Sequence, residues 1–260
     1  MQLLKKFLIL TSLLVFVCPV ESFANDSEAA VEAGNLVLKK SDGITMESEE
    51  LYLSLDQVRV HYVFKNTTPK EIRTIVAFPI GKYTYETGPD GSVFQDPELT
   101  ANLHFKVTVQ GKVVATKMER KIEKRGEYYL DKATYYWDQI FPAGAKLEVT
   151  HTYQPQVGGF FYYPKQDEYH SVKEYCIDAD LQARLKKTTA ATTLHYVLTT
   201  GANWKGPIKN FKMTLDKGKP KTLVSLCLDG LRKISPTQFE VVKKNFKPKQ
   251  DLQIVFFESN

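Results

Sequence analysis

The 260-residue chain lacks every familiar catalytic signature. It has no G-x-S-x-G elbow, no H-E-x-x-H pair, no phosphate-cradling glycine loop and no EF-hand loop. Its five histidines, His61, His104, His151, His170 and His195, stand far apart, and none pairs with another at metal-ligand spacing. No catalytic residue, metal site or cofactor is therefore expected. Internal repeats and low-complexity segments are absent too. Neither sign of charge dominates: 35 Lys and Arg face 30 Asp and Glu, interspersed apart from the basic runs Lys117–Arg125 and Lys243–Lys249. Those runs read as solvated faces. Without a basic-aromatic module beside them, a nucleic-acid partner is not expected.

Long apolar runs are missing after the first two dozen residues. Residues 1–24 read as a signal peptide: Lys5 and Lys6 are followed by the apolar stretch Phe7–Val17 and then by Ser22-Phe23-Ala24, a small-x-small cleavage pattern. The stretch is too short to span a bilayer comfortably. Cys18 follows Val17 where a lipoprotein would carry a small residue, so no lipid anchor and no membrane span after cleavage are expected. Removing 24 residues from 260 leaves 236, and losing Lys5, Lys6 and Glu21 lowers the formal charge from +5 to +4. The expected location is periplasmic or secreted.

What the chain does have is strand signal. Tyr135–Phe141 and Lys146–Tyr153 flank Pro142-Ala143-Gly144, and Leu36–Leu38 and Ile44–Met46 flank Ser41-Asp42-Gly43; both read as β-hairpins. Leu51, Leu53 and Leu55 share one face, after which the apolar parity switches to Val58, Val60, Tyr62 and Phe64, demanding a turn or bulge near Asp56-Gln57. Ile72–Pro79 reads as a central strand buried on both faces. Residues Gly81–Thr100 read as a long irregular loop, and Lys117–Gly126 as a charged surface crossing. Leu103–Val109 turns through Gln110-Gly111-Lys112 into a partner strand. Further strands fall at Leu194–Thr199, Phe211–Leu215, Leu223–Leu228, Phe239–Val242 and Leu252–Phe257. One short helix is predicted near residues 178–187, capped by Asp178. The pattern predicts an all-β, antiparallel β-sandwich architecture of two packed sandwich-like halves. Gly158-Gly159 marks their seam: an N-terminal β-sandwich domain at 25–157 and a C-terminal β-rich domain at 158–260.

Candidate functional residues come from the aromatic density of residues 128–169. Tyr135, Tyr136, Trp137, Tyr162 and Tyr163 supply ring faces and hydroxyls of the kind that pack on sugars or peptides. A thick core with hydroxyls reaching its rim is the competing reading. His151 takes an apolar parity in its strand, which fits a core histidine or a site residue, and His170 follows the aromatic block. The expected ligand-binding set is thus Tyr135, Tyr136, Trp137, His151, Tyr162, Tyr163 and His170. The alternative is a cell-wall or glycan hydrolase centred on His151, Glu168 and His170. Asn66-Thr67-Thr68 also matches a glycosylation sequon. Once Cys18 leaves with the leader, Cys176 and Cys227 remain, and an even count in an exported chain predicts a disulfide between them.

With these stretches in view, the chain resembles the domain-of-unknown-function 4424 family of exported bacterial proteins. The residues that carry the resemblance are Asn25-Asp26-Ser27, MESEELYLSL with VRVHYVF, TIVAFP, TYYWDQIFPAGAKLEVTHTYQP, EYCIDADL, and YVLTTGANWKGPIKNF with the later Cys227. The resemblance implies a periplasmic or secreted, mostly β protein and supplies no activity. More distantly, the first half is similar to the sandwich module that opens inter-α-trypsin-inhibitor-type proteins. The reading is an exported binding or envelope-associated module for a glycan or peptide ligand.

Overall fold

The computed structural model describes residues 25–32, 35–86, 103–126, 128–164 and 170–258. The proposed leader, Glu168, Tyr169 and most of the loop expected at 81–100 lie outside the described residues.

In chain order the strands are β1 (Ser27–Glu32), β2 (Asn35–Lys39), β3 (Ile44–Leu53), β4 (Val58–Asn66) and β5 (Ile72–Glu86). Next come β6 (Lys106–Val109), β7 (Lys112–Val114), β8 (Lys117–Arg125), β9 (Tyr128–Phe141), β10 (Lys146–Tyr153) and β11 (Val157–Tyr162). Two short helices follow, α1 (His170–Glu174) and α2 (Ala179–Arg184). The chain ends with β12 (Thr189–Tyr196), β13 (Ile208–Asp216), β14 (Leu223–Leu226), β15 (Arg232–Lys233), β16 (Gln238–Phe246) and β17 (Leu252–Phe257). Among the described residues three sheets result: β2-β1-β5-β9-β8, then β15-β16-β13-β3-β4-β10-β6-β7, then β11-β12-β17-β14. Every described strand pair is antiparallel except β13 with β3. The fold is all-β and sandwich-like. The helix expectation is corrected in detail: α2 ends at Arg184, three residues short of the predicted end, and α1 precedes it. Asp178 caps α2, its carboxylate accepting from the Leu181 amide at 2.7 Å.

Both expected hairpins are instead arches between sheets. β9 pairs with β5 and β8, while β10 pairs with β4 and β6, so Pro142-Ala143-Gly144 carries the chain from one sheet to the other. Ser41-Asp42-Gly43 does the same between β2 and β3. The reason lies in the side chains. Tyr135, Trp137 and Phe141 on β9 meet Leu147, Val149 and Tyr153 on β10 across one buried cluster, rather than side by side on one face. The turn residues only reverse the chain. Asn66 fastens the first arch: fully buried, it donates to the carbonyls of Phe141 (2.9 Å) and Lys70 (2.8 Å) and accepts from the amide and hydroxyl of Thr68. The sequon asparagine is thus a structural bracket. The turn at Gln110-Gly111 is a true hairpin, both residues having positive φ (49° and 75°), as a two-residue type I′ turn requires.

Two further expectations change. Residues 81–86 continue β5, and Lys117–Arg125 is not a surface crossing but the edge strand β8, paired along its length with β9. Lys and Glu suit an edge, where one side of the backbone has no neighbour and charge discourages another chain from pairing. The turn near Asp56-Gln57 is present, with the Ser54 amide donating to the Gln57 carbonyl at 3.0 Å.

The main core lies between the five- and eight-stranded sheets. Leu194, Tyr196, Leu252, Ile254 and Phe256, from the inner face of the four-stranded sheet, close it. The outer face of that third sheet carries Val255 and Phe257 against Tyr175, Ile177, Leu181 and Leu185 of the helical segment. A disulfide joins Cys176 to Cys227, with Cα atoms 5.1 Å apart, and Ser225 Oγ donates to the carbonyls of Tyr175 and Cys176 beside it. These ties hold α1 and α2 on the sheet.

Candidate functional site

The predicted aromatic set does not gather on one face. Tyr135, Trp137 and His151 lie in the main core, and Tyr162 lies in the smaller cluster under the helices. Tyr136 is half-buried on the opposite face of β9, and Tyr163 is exposed just beyond β11. The backbone of His170 opens α1. Strand alternation accounts for the split: residues 131, 133, 135 and 137 point inward, and 132, 134 and 136 point outward. Of the other histidines, His61 is half-buried and contacts Thr150 Oγ1 at 2.9 Å. Among the described residues no group of three His, Cys, Asp or Glu side chains is placed to hold a metal.

Among the described residues two places carry chemistry. One is a buried polar cluster around His151. The imidazole has no exposed surface and sits among the rings of Tyr62, Phe78, Phe105 and Trp137, with centroid distances of 4.8–5.5 Å. Its Nε2 lies 3.5 Å from Asp26 Oδ2, close enough for charge attraction but longer than an ordinary hydrogen bond. Glu49, Asp26, Asn25, Tyr62 and Tyr196 complete the cluster, all with at most 1% exposure. Asn25 Nδ2 donates to Glu49 Oε2 at 3.1 Å, the Tyr62 hydroxyl donates to Asn25 Oδ1, and the two tyrosine hydroxyls are 3.3 Å apart.

Burial dominates the protonation of this cluster. It lifts Glu49 to about 8 against the opposing hydrogen bond from Asn25, and raises Asp26 well above the usual carboxylate range with help from the neighbouring Glu49 charge. It depresses His151 to about 3. The two tyrosines are pushed up for the same reason. With no atom of His151 open to solvent, this arrangement gives a hydrolytic substrate no approach to the imidazole. Glu49 was within reach of the sequence: carrying the Leu51, Leu53 alternation one step back turns residue 49 inward.

The second place is a groove of about 490 Å³ on the outer face of the five-stranded sheet. Its edge strands, β2 and β8, approach each other there, and the Leu36 amide donates to Glu119 Oε1 at 3.2 Å. Leu36, Leu38, Pro79 and Thr134 line it together with Lys39, Lys40, Lys121, Lys132, Glu119, Glu123 and Asn203. Lys132 pairs with Glu123 at 3.0 Å and Lys121 with Glu119 at 3.5 Å. Four lysines against two glutamates leave the lining positive. No sequence pattern flagged it, because its residues come from four strands, from Lys40 just after β2 and from Asn203 in the 3-10 turn at Thr199–Asn203, segments far apart in the chain.

Known proteins place this architecture. The Domain of unknown function (DUF4424) family matches residues 24–129 and 123–255, so the chain belongs to that family. No curated protein matches it. A crystal structure from Legionella pneumophila, whose name proposes a nutrient binding protein, shares the fold. It is 18% identical at a TM-score of 0.52, covering 90% of this chain and 70% of that one. An M1 zinc metallopeptidase from Deinococcus radiodurans aligns at 7% identity over 85% of this chain and 44% of its own, with a TM-score of 0.27 that carries no argument.

Proposed function

We propose that this member of the family is an exported binding module, cleaved after Ala24, that holds a small anionic ligand in the groove of the five-stranded sheet. The observation that carries the reading is the groove's make-up. Its volume of about 490 Å³ falls within the roughly 300–1,000 Å³ usual for small-ligand sites. Both glutamates already have lysine partners, and Glu119 accepts the Leu36 amide besides. The lining as a whole keeps a net positive charge, which suits a carboxylate or phosphate, while Leu36, Leu38 and Pro79 offer a short apolar floor. Tyr136 does not line the groove but shares the outward face of β9 with Lys132 and Thr134, which makes it the member of the predicted aromatic set nearest in the strand to the lining.

A periplasmic or secreted location is supported by the leader-like residues 1–24 and by the Cys176–Cys227 disulfide, which an oxidising compartment favours. Among the described residues no helix is long and apolar enough to cross a membrane. The name given to the Legionella neighbour supports binding as the general role.

The test is a thermal-shift panel on residues 25–260, comparing dicarboxylates, acidic dipeptides and sugar phosphates with neutral oligosaccharides and polyamines. Anionic compounds should raise the melting temperature, and Lys121→Glu should abolish the rise. Stabilisation by neutral sugars alone, unaffected by Lys121→Glu, would move the ligand to another surface and another class.

A further inference from the structure

The first residues after the proposed cleavage point are among the most deeply buried in the molecule. Asn25, Asp26 and Ser27 are all 0% exposed. Their backbone is held from the segment after β12: Thr200 Oγ1 donates to the Asn25 carbonyl and Trp204 Nε1 to the Asp26 carbonyl, both at 2.7 Å. Asn203 Nδ2 donates to Ser27 Oγ at 3.0 Å. Gly201 packs so closely that a Cβ there would lie 2.7 Å from Asn25 Nδ2. The first residue of a processed chain carries a charged amine, and burying such a charge is costly unless it meets an opposite one.

The surroundings supply that opposite charge. Glu49 accepts from Asn25 through one oxygen, while its Oε1 and both Asp26 oxygens accept no hydrogen bond among the described residues. Among the described residues no lysine or arginine forms an ion pair with either carboxylate, and the basic nitrogen that approaches is His151 Nε2, 3.5 Å from Asp26 Oδ2. Covalent geometry keeps the α-nitrogen of Asn25 within about 5 Å of its own Nδ2, and that atom is 3.1 Å from Glu49.

We infer that the Asp26–Glu49 cluster is a receptor for the chain's own new N-terminus: the α-ammonium freed at Asn25 pairs with Glu49, so that leader removal completes the core. This rests on the reading that the leader is cleaved after Ala24. The charges then balance. The ammonium neutralises Glu49, and one proton shared between Asp26 and His151 neutralises that pair, with Tyr62 and Tyr196 as uncharged hydrogen-bonding walls. Before cleavage the same nitrogen is an uncharged amide, and Glu49 must remain protonated or lie buried without a counter-charge. Stability is therefore withheld from the chain until the leader is gone.

The experiment is amine acylation of the processed, exported protein, read by mass spectrometry of its N-terminal peptide. The Asn25 α-amine should react at least about 100-fold more slowly in the native protein than in denaturant, as expected for a site exposed only by local unfolding, while surface lysines react freely in both. A chain beginning at Asn25 whose amine labels equally fast in both states overturns this inference alone. A mature chain beginning elsewhere overturns it together with the cleavage reading. A protein that retains Ala24 should melt on the order of 10 °C lower, from the cost of leaving a buried charge unpaired. That gap should shrink when both forms carry Glu49→Gln. An undiminished gap in the Glu49→Gln background would assign the effect to packing and refute the pairing.

Discussion

Asn66→Ala should cost about 5 kcal/mol. The side chain makes two donated and two accepted hydrogen bonds, at 2.8–2.9 Å, from a fully buried position. The bond to the Phe141 carbonyl is the buried one, and stranding such an acceptor costs roughly 1–3 kcal/mol. The other three are partly accessible to water and contribute roughly 0.5–1.5 kcal/mol each. The total is a large part of a net stability of about 5–15 kcal/mol. It corresponds to a fall in Tm of roughly 10–20 °C for a domain of this size. Urea unfolding of the mature chain measures it, with Asn66→Asp as the discriminating companion. Asp keeps the shape and the two accepted bonds but turns an oxygen towards the carbonyls of Phe141 and Lys70, so it should be at least as damaging at neutral pH. A loss below about 1 kcal/mol for both variants would refute the bracket, because one stranded buried carbonyl already exceeds that.

Three other outcomes follow from the same structure. Cys176→Ser should lower stability by about 4 kcal/mol at most, the chain-entropy value for a closed loop of this length, and adding Cys227→Ser should change little more; additive losses would show that the two act separately. Gly201→Ala, whose methyl would meet Asn25 Nδ2 at 2.7 Å and Ile208 Cδ1 at 3.2 Å, should cost roughly 1–3 kcal/mol by overpacking, read in the same unfolding assay; a neutral result would mean that the N-terminal residues are not held there. In a chain retaining Ala24, the folded state keeps a proton on Glu49 up to about pH 8 that the unfolded state releases near its ordinary value, so stability is full below about pH 4.5 and falls as pH rises towards 8. Glu49→Gln should flatten that slope, and a slope unchanged by it would place the titration on Asp26 or His151 instead.

Strand identity was legible because alternation is local: Leu147, Val149, His151 and Tyr153 share a face in the sequence and in the fold. Sheet membership was not. Pro142-Ala143-Gly144 and Ser41-Asp42-Gly43 announce reversal, but whether the next strand pairs beside the last or faces it across a core depends on partners far along the chain. β4 is separated from β10 by about eighty residues, and β13 from β3 by more than 150. The aromatic density was real but was divided by strand parity, so most of the predicted rings entered the two cores. His151 revealed itself by its apolar parity. Its neighbour Asp26 did not, because a polar tripeptide after a leader looks like a solvated terminus until Thr200 and Trp204 are seen to hold it. The groove needed the meeting of β2 and β8, which no periodicity encodes.

The central claim is that the lysine-lined groove binds a small anion. The most direct measurement is the melting temperature of residues 25–260 against an acidic dipeptide series, in wild type and in Lys121→Glu. A ligand at about 100 times its Kd stabilises by about 2.7 kcal/mol, a rise of roughly 5–11 °C for a domain of this size. The account predicts that rise in the wild type, its decline with added salt, and its loss in Lys121→Glu. A rise of equal size in both proteins, or one given only by neutral sugars or polyamines, would contradict it.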